Sequence, residues 1–192
     1  MASPADEHRR IAGAFTETVE GTVAAAWDNP APPQGWVARD VVRHLLEWFP
    51  AFLRGATGLT LPAGPSVDDD PVGAWRVQAG AVQALLDDPA IAEREHDFAH
   101  IGTMSLGQAI AMIYVGDVFL HRWDLARATR QDETLDPNKC AEMLEGMLPM
   151  EEALRQSGHY GPRVDVPDDA DIQPRTALAI TVRGDLRWSP AC

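Results

Sequence analysis

The sequence predicts an all-α protein built as a helix bundle, and three observations carry that expectation. Apolar residues recur every three to four positions along four long segments. Stretches rich in proline, glycine and aspartate separate those segments. Apolar residues make up 45% of the 192, enough for one buried core, and there is no internal repeat or low-complexity tract. Four long helices with such connections favour a bundle of the up-down kind, here with an extra helix and a short irregular C-terminal extension. The expected organisation is a bundle over residues 1–156 with residues 157–192 packed on it.

Each element has a local reason. Ser3 followed by Pro4 reads as an N-cap and a first helical position. Ile11, Phe15, Val19, Val23 and Trp27 then repeat every fourth residue, so the first helix is expected to run to about Trp27. Asp28 to Trp36 is a loop, because Pro30, Pro32, Pro33 and Gly35 forbid a helix. Trp36, apolar within that loop, is expected to plug the end of the core. The second helix spans Val37 to about Gly58, with Val41, Leu45, Trp48 and Phe52 inward and His44 beside them. Pro50 predicts a kink or an early end. A loop follows to Gly73. The third helix runs from Pro71 to Leu86 and stops at Asp87-Asp88-Pro89.

Residues 91–101 are ambiguous, with a short extended piece as one reading. Ser105 is a plausible N-cap for a long fourth helix from Leu106 to Thr129. Gln131 to Pro137 is a linker, and Asn138 to Gln156 a fifth helix with a kink expected at Pro149. In the tail, Ala177 to Val182 fits a helix or a strand by length alone.

Charge and composition exclude some functions. The net charge is −13 and the isoelectric point about 4.7, which argues against nucleic acid or an anionic membrane as partner. No run of 18 or more apolar residues suggests a membrane span, and the polar N-terminus is not followed by a signal-peptide core. Cys140 and Cys192 do not form a disulfide framework. A cytoplasmic protein acting on a small molecule is the expectation. Asp68-Asp69-Asp70 lacks the ligand spacing of a calcium loop. His96 and His100 are expected to be exposed loop histidines. Met143, Met147 and Met150 form a stripe that serves as core filler or as a face for a second protomer.

The fourth helix holds an anomaly. Asp117 and His121 are four residues apart, roughly 40° around a helix, and Asp124 falls close to the same stripe. That stripe continues the apolar residues Leu106, Ala109, Ile110, Ile113 and Tyr114, so it should be buried. Buried charges are costly unless paired or bound to a metal. One solution is an i, i+4 ion pair between Asp117 and His121, with Asp124 paired to Arg122 or Arg127. The other is a metal ion held by His44, Asp117 and His121. Two imidazoles and a carboxylate suit Zn²⁺, and also Ni²⁺ or Fe²⁺, and three protein ligands leave positions open as in a catalytic site.

Three stretches carry a family resemblance. The first is Trp27-Asp-Asn-Pro-Ala-Pro-Pro-Gln-Gly-Trp36-Val-Ala-Arg-Asp40-Val-Val-Arg-His44-Leu45. The second is Asp117-Val-Phe-Leu-His121-Arg-Trp-Asp124-Leu-Ala126. The third is Gly161 to Ala170 together with Arg183-Gly-Asp-Leu-Arg-Trp188. In this order they resemble the DinB/YfiT-like superfamily, in the actinobacterial branch of mycothiol-dependent maleylpyruvate isomerase. The resemblance implies a DinB-like bundle, dimerisation in many members, and a metal triad that maps onto His44, Asp117 and His121. Two departures stand out. Pro33 occupies the place of a family cysteine, and the segment after Gln156 is shorter than the isomerase's C-terminal domain, with Arg183 or Arg187 as partial substitutes for its substrate-binding arginine.

The function this implies is a metal-dependent isomerase or transferase. The metal would activate mycothiol or a similar low-molecular-weight thiol toward a small electrophile; activation of water for hydrolysis is a variant. Glu47 and Asp124 are the candidate bases. The other reading of Asp124 is a residue that supports a ligand from behind or packs between helices. The alternative function is a metal-holding or scaffold bundle without turnover.

Overall fold

A computed structural model describes residues 2–98, 102–147, 167 and 170–179. Helix α1 spans Pro4–Gly21, with the Ser3 hydroxyl accepting from the Asp6 amide at 3.1 Å. Helix α2 spans Ala38–Thr57, where the Asp40 carboxylate accepts from the Val37 amide at 3.0 Å. Helix α3 spans Pro71–Asp87 behind an Asp70 cap, and the short α4 spans Pro89–Ala92. A hairpin of β1, Glu95–Phe98, and β2, Gly102–Ser105, comes after it, with Phe98 opposite Gly102. The long helix is next, as α5 (Leu106–Ala109), a π turn (Ile110–Val115) and α6 (Gly116–Thr129). Helices α7, Pro137–Met147, and α8, Ile172–Ala179, complete the described chain.

The fold is mainly helical, as the apolar periodicity predicts. The bundle closes as a ring in which α1 touches α3 and α6, and α2 touches those same two helices. Consecutive helices α1 and α2 therefore face each other diagonally. The connection between them crosses one end of the bundle and brings Trp36 against His44 and His121. The core is filled by Ile11, Phe15, Val41, Leu45, Phe49, Trp75, Tyr114 and Leu125 from all four sides. Among the described residues, no helix is long and apolar enough to cross a membrane.

The first helix and the long helix differ from expectation for physical reasons, and helix α2 keeps its expected span through Pro50. Helix α1 stops at Gly21, not Trp27. Thr22 turns extended, and its hydroxyl donates to the Thr18 carbonyl at 2.8 Å. Any side chain at Gly21 would collide with Gln131, whose amide donates to the Thr18 carbonyl at 2.8 Å. Val23 is consequently 68% exposed, and Trp27 reaches the core from a separate 3-10 turn at Ala24–Ala26.

Helix α2 does not end at Pro50. An internal proline costs about 3 kcal/mol, but Phe49 and Leu53 flank it fully buried, each contributing about 1.5–3 kcal/mol. Burial wins, and the helix runs on to Gly58, whose φ of 76° caps it.

The long helix is interrupted by its π turn. A π turn absorbs one residue more than α geometry and rotates the downstream residues by roughly 100° about the axis. The single stripe expected from Leu106 to His121 is thus broken. Ile113 is only half-buried, whereas Val115, Val118 and Phe119 are buried. Helix α6 is enclosed between α1 and α2 and buried on most sides.

Within 91–101, the described residues 91–98 form the end of α4 and strand β1, whose Phe98 stacks on Phe52 at 5.8 Å. His96 lies on that strand half-buried, not in an exposed loop, with its Nε2 buried and unpartnered. The described part of the C-terminal extension includes helix α8. Thr176 on α8 donates to the Cys140 carbonyl on α7 at 3.0 Å, and Met143 on α7 packs against the core. The remainder of the fifth helix to Gln156, the kink at Pro149, the boundary at 156, His100, Met150, Arg183 and Arg187 lie outside the described residues.

Candidate metal centre

Two helices supply the site. Helix α2 presents His44, and Trp48 one turn later. Helix α6 presents Asp117, His121 and Asp124 across the shared interface. The structure brings His44, Asp117 and His121 together, with one ligating atom of each within 4.8 Å of the others. His44 Nε2 stands 3.4 Å from Asp117 Oδ2, and His121 Nε2 stands 3.4 Å from Asp117 Oδ1.

That spacing is informative. It exceeds the usual hydrogen-bond range of about 2.7–3.2 Å. Two ligands bound at about 2.0–2.1 Å to a tetrahedral ion stand roughly 3.3–3.4 Å apart. His121 Nε2 is also buried without a hydrogen-bond partner, a cost that a native core seldom leaves unexplained. Its other nitrogen, Nδ1, lies 2.9 Å from Asp124 Oδ2. A carboxylate there accepts the Nδ1 proton and leaves the Nε2 lone pair turned to the centre, the arrangement that orients metal-bound histidines. The donor set and its geometry fit a divalent ion.

The electrostatics agree. Burial pushes the Asp117 carboxyl up, but the imidazoles of His121 and His44 and the indole of Trp48 outweigh it and hold it below its ordinary value. Burial alone would lower His121, yet Asp117 and Asp124 raise it. Burial raises Asp124. The spot between the two imidazoles thus favours a cation, whether a proton or a metal.

Trp36 and Trp48 wall the centre. The Trp36 ring lies 5.2 Å from His44 and 5.9 Å from His121, stacked on the latter at 23°. So Trp36 packs on the two imidazoles. Its loop is held by the Trp36 amide donating to the Pro33 carbonyl at 3.0 Å and by Gly35 at φ 78°. The Trp48 indole donates to Asp117 Oδ2 at 2.9 Å. The apolar periodicity of α2 placed Trp48 only in a core stripe. The signal for its role was its position four residues after His44, since a buried indole N–H requires an acceptor. Of the two candidate bases, Asp124 touches His121, and Glu47 is exposed on α2.

The bundle carries a two-histidine, one-aspartate cluster across two of its helices, which defines a class of helical domain. Within that class the chain belongs to the mycothiol maleylpyruvate isomerase N-terminal domain family, whose model matches residues 8–126. Among curated proteins it is similar to "Uncharacterized protein MT0763" and "Uncharacterized protein Rv0738", from two strains of Mycobacterium tuberculosis. Each is 26% identical over 145 residues, covering 73% of this chain and 75% of the relative. No solved structure matches.

Proposed function

We propose that this protein is a metal- and thiol-dependent enzyme, an isomerase or S-transferase for a small electrophile. The observation that carries the proposal is the unpartnered, buried Nε2 of His121 standing 3.4 Å from Asp117 Oδ1. His44, Asp117 and His121 would hold the ion, with Zn²⁺ the best match to the donor set and Ni²⁺ or Fe²⁺ also compatible. A divalent ion in that position would supply the Lewis acidity that deprotonates a coordinated thiol outright at neutral pH.

The chain's own residues do the rest. Asp124 fixes the tautomer and orientation of His121. Trp36 and Trp48 exclude water from the two imidazole faces while His44 and Asp117 stay partly open to solvent, with side chains 26% and 19% exposed. That opening is the entry side for thiol and electrophile. Family membership supports a mycothiol-type thiol. Pro33, which stands where the family resemblance has a cysteine, removes any protein thiol from this loop, so the nucleophile is supplied by the small molecule.

The test is thiol consumption. Metal-loaded protein, given mycothiol and then glutathione with a chromogenic aryl halide or with maleylpyruvate, is expected to accelerate adduct formation or isomerisation. Chelated protein and His44→Ala are expected to return the rate to background. A loaded protein that leaves every such pair at background would establish the non-catalytic metal-binding or scaffold reading instead.

A further inference from the structure

Asp117 has two oxygens, and each faces one imidazole. Oδ1 stands 3.4 Å from His121 Nε2, and Oδ2 stands 3.4 Å from His44 Nε2 while also accepting the Trp48 indole proton at 2.9 Å. An indole N–H only donates; it neither ligates a metal nor changes its role with pH. The two imidazole nitrogens differ in this respect. Each must offer a lone pair to an ion, and so neither can donate to Asp117 while an ion is bound. Among the described residues, Trp48 is then the side chain in hydrogen-bond geometry that still donates to this carboxylate.

Trp48 is also held so that it cannot swing away. Its ring meets Phe49 at 5.6 Å, Phe52 at 6.1 Å and Tyr114 at 6.2 Å. Tyr114 is itself anchored by the Gln78 amide, which donates to its hydroxyl at 3.0 Å. Tyr114 sits in the π turn that ends just before Asp117. The clamp and the ligand His44 share helix α2, so the ligand atom and the proton that restrains its neighbour move as one body.

We propose that Trp48 is a positioning residue of the metal centre. Its indole N–H, donating to Oδ2, fixes the rotation of the Asp117 carboxylate so that its oxygens stay turned toward the two imidazoles, where an ion would be held. This rests on the metal reading of the triad. Without the clamp, the carboxylate is free to rotate away from the two imidazoles, and the three ligands are no longer held together.

The experiment titrates the full-length wild type and Trp48→Phe with Co²⁺ against a competing chelator, reading affinity and the visible d–d spectrum. The wild type is expected to give the intense bands of a low-coordinate ion. Folded Trp48→Phe is expected to bind about 10–100-fold more weakly, with weaker, shifted bands. A folded variant with unchanged affinity and spectrum overturns the proposal, and so does one whose thermal midpoint falls while both stay unchanged, because packing alone would then explain the tryptophan. If the variant does not fold, the wild-type indole N–H resonance of Trp48 decides. With Zn²⁺ bound it must stay downfield and protected from solvent exchange, and rapid exchange overturns the clamp. A wild type that takes up no Co²⁺ refutes the metal reading itself, and this proposal with it.

Discussion

His121 Nδ1 lies 2.9 Å from Asp124 Oδ2, three residues along the same helix and buried with it. The contact assigns the two nitrogens of one ring to different tasks. Nδ1 is spent on Asp124, and Nε2 is left facing Asp117 without a hydrogen bond. A buried imidazole with one satisfied nitrogen and one free lone pair is prepared for a cation.

Removing the Asp124 acceptor should therefore cost metal affinity more than fold. Asp124→Ala is expected to bind Zn²⁺ about 10–100-fold more weakly than wild type, with an unchanged far-ultraviolet spectrum. Competition against a fluorescent chelator measures it. Affinity equal to wild type would show that the contact does not orient His121.

The loop carrying Trp36 depends on Gly35, whose φ of 78° is the left-handed region that side chains with a Cβ avoid. Gly35→Val should lower stability by about 1–2 kcal/mol. Trp36 should then lift from the imidazoles, whose ring centres lie 5.2 Å and 5.9 Å from its own. The expected readouts are a lower urea midpoint and altered tryptophan fluorescence on adding Zn²⁺. A variant matching wild type in both would remove Trp36 from the site.

His8 is buried on α1, with Nδ1 2.7 Å from Gln83 Oε1 and Nε2 unpartnered. Burial pulls its pKa below the ordinary 6.5. The unfolded chain therefore takes up the His8 proton first as pH falls. The contribution of neutral His8 is complete above pH 6.5 and is lost as pH drops through the folded value. Urea unfolding between about pH 7.5 and 5 should show wild type losing stability on acidification more steeply than His8→Gln. Parallel curves would show that His8 does not titrate in this way.

Much of the fold was legible from local patterns. Ser3-Pro4, Pro71 and Ser105 mark helix starts where the structure has them. The i, i+4 step of Asp117 and His121 held because both lie beyond the π turn, in regular α geometry. The early stop of α1 depended on a tertiary contact, since Gln131 stands against Gly21, whereas α2 kept its expected span through Pro50 with Phe49 and Leu53 buried around it. The π turn left no mark in the apolar spacing. His44 was legible as an inward residue, but its meeting with Asp117 needed the α2–α6 contact, which the residues alone do not encode at any fixed spacing. Trp36 and Trp48 were legible as core or site-wall packing, but not the acceptor that the Trp48 N–H meets, which lies on another helix.

The central claim is a metal ion held by His44, Asp117 and His121. The most direct test is metal content of the purified protein by mass spectrometry, wild type beside His121→Ala, before and after incubation with Zn²⁺ and Ni²⁺ and desalting. About one equivalent in wild type and a marked loss in the variant is the expected result for a three-ligand site. A wild type that stays metal-free after incubation would contradict it, and the three side chains would then be a buried polar cluster of the bundle.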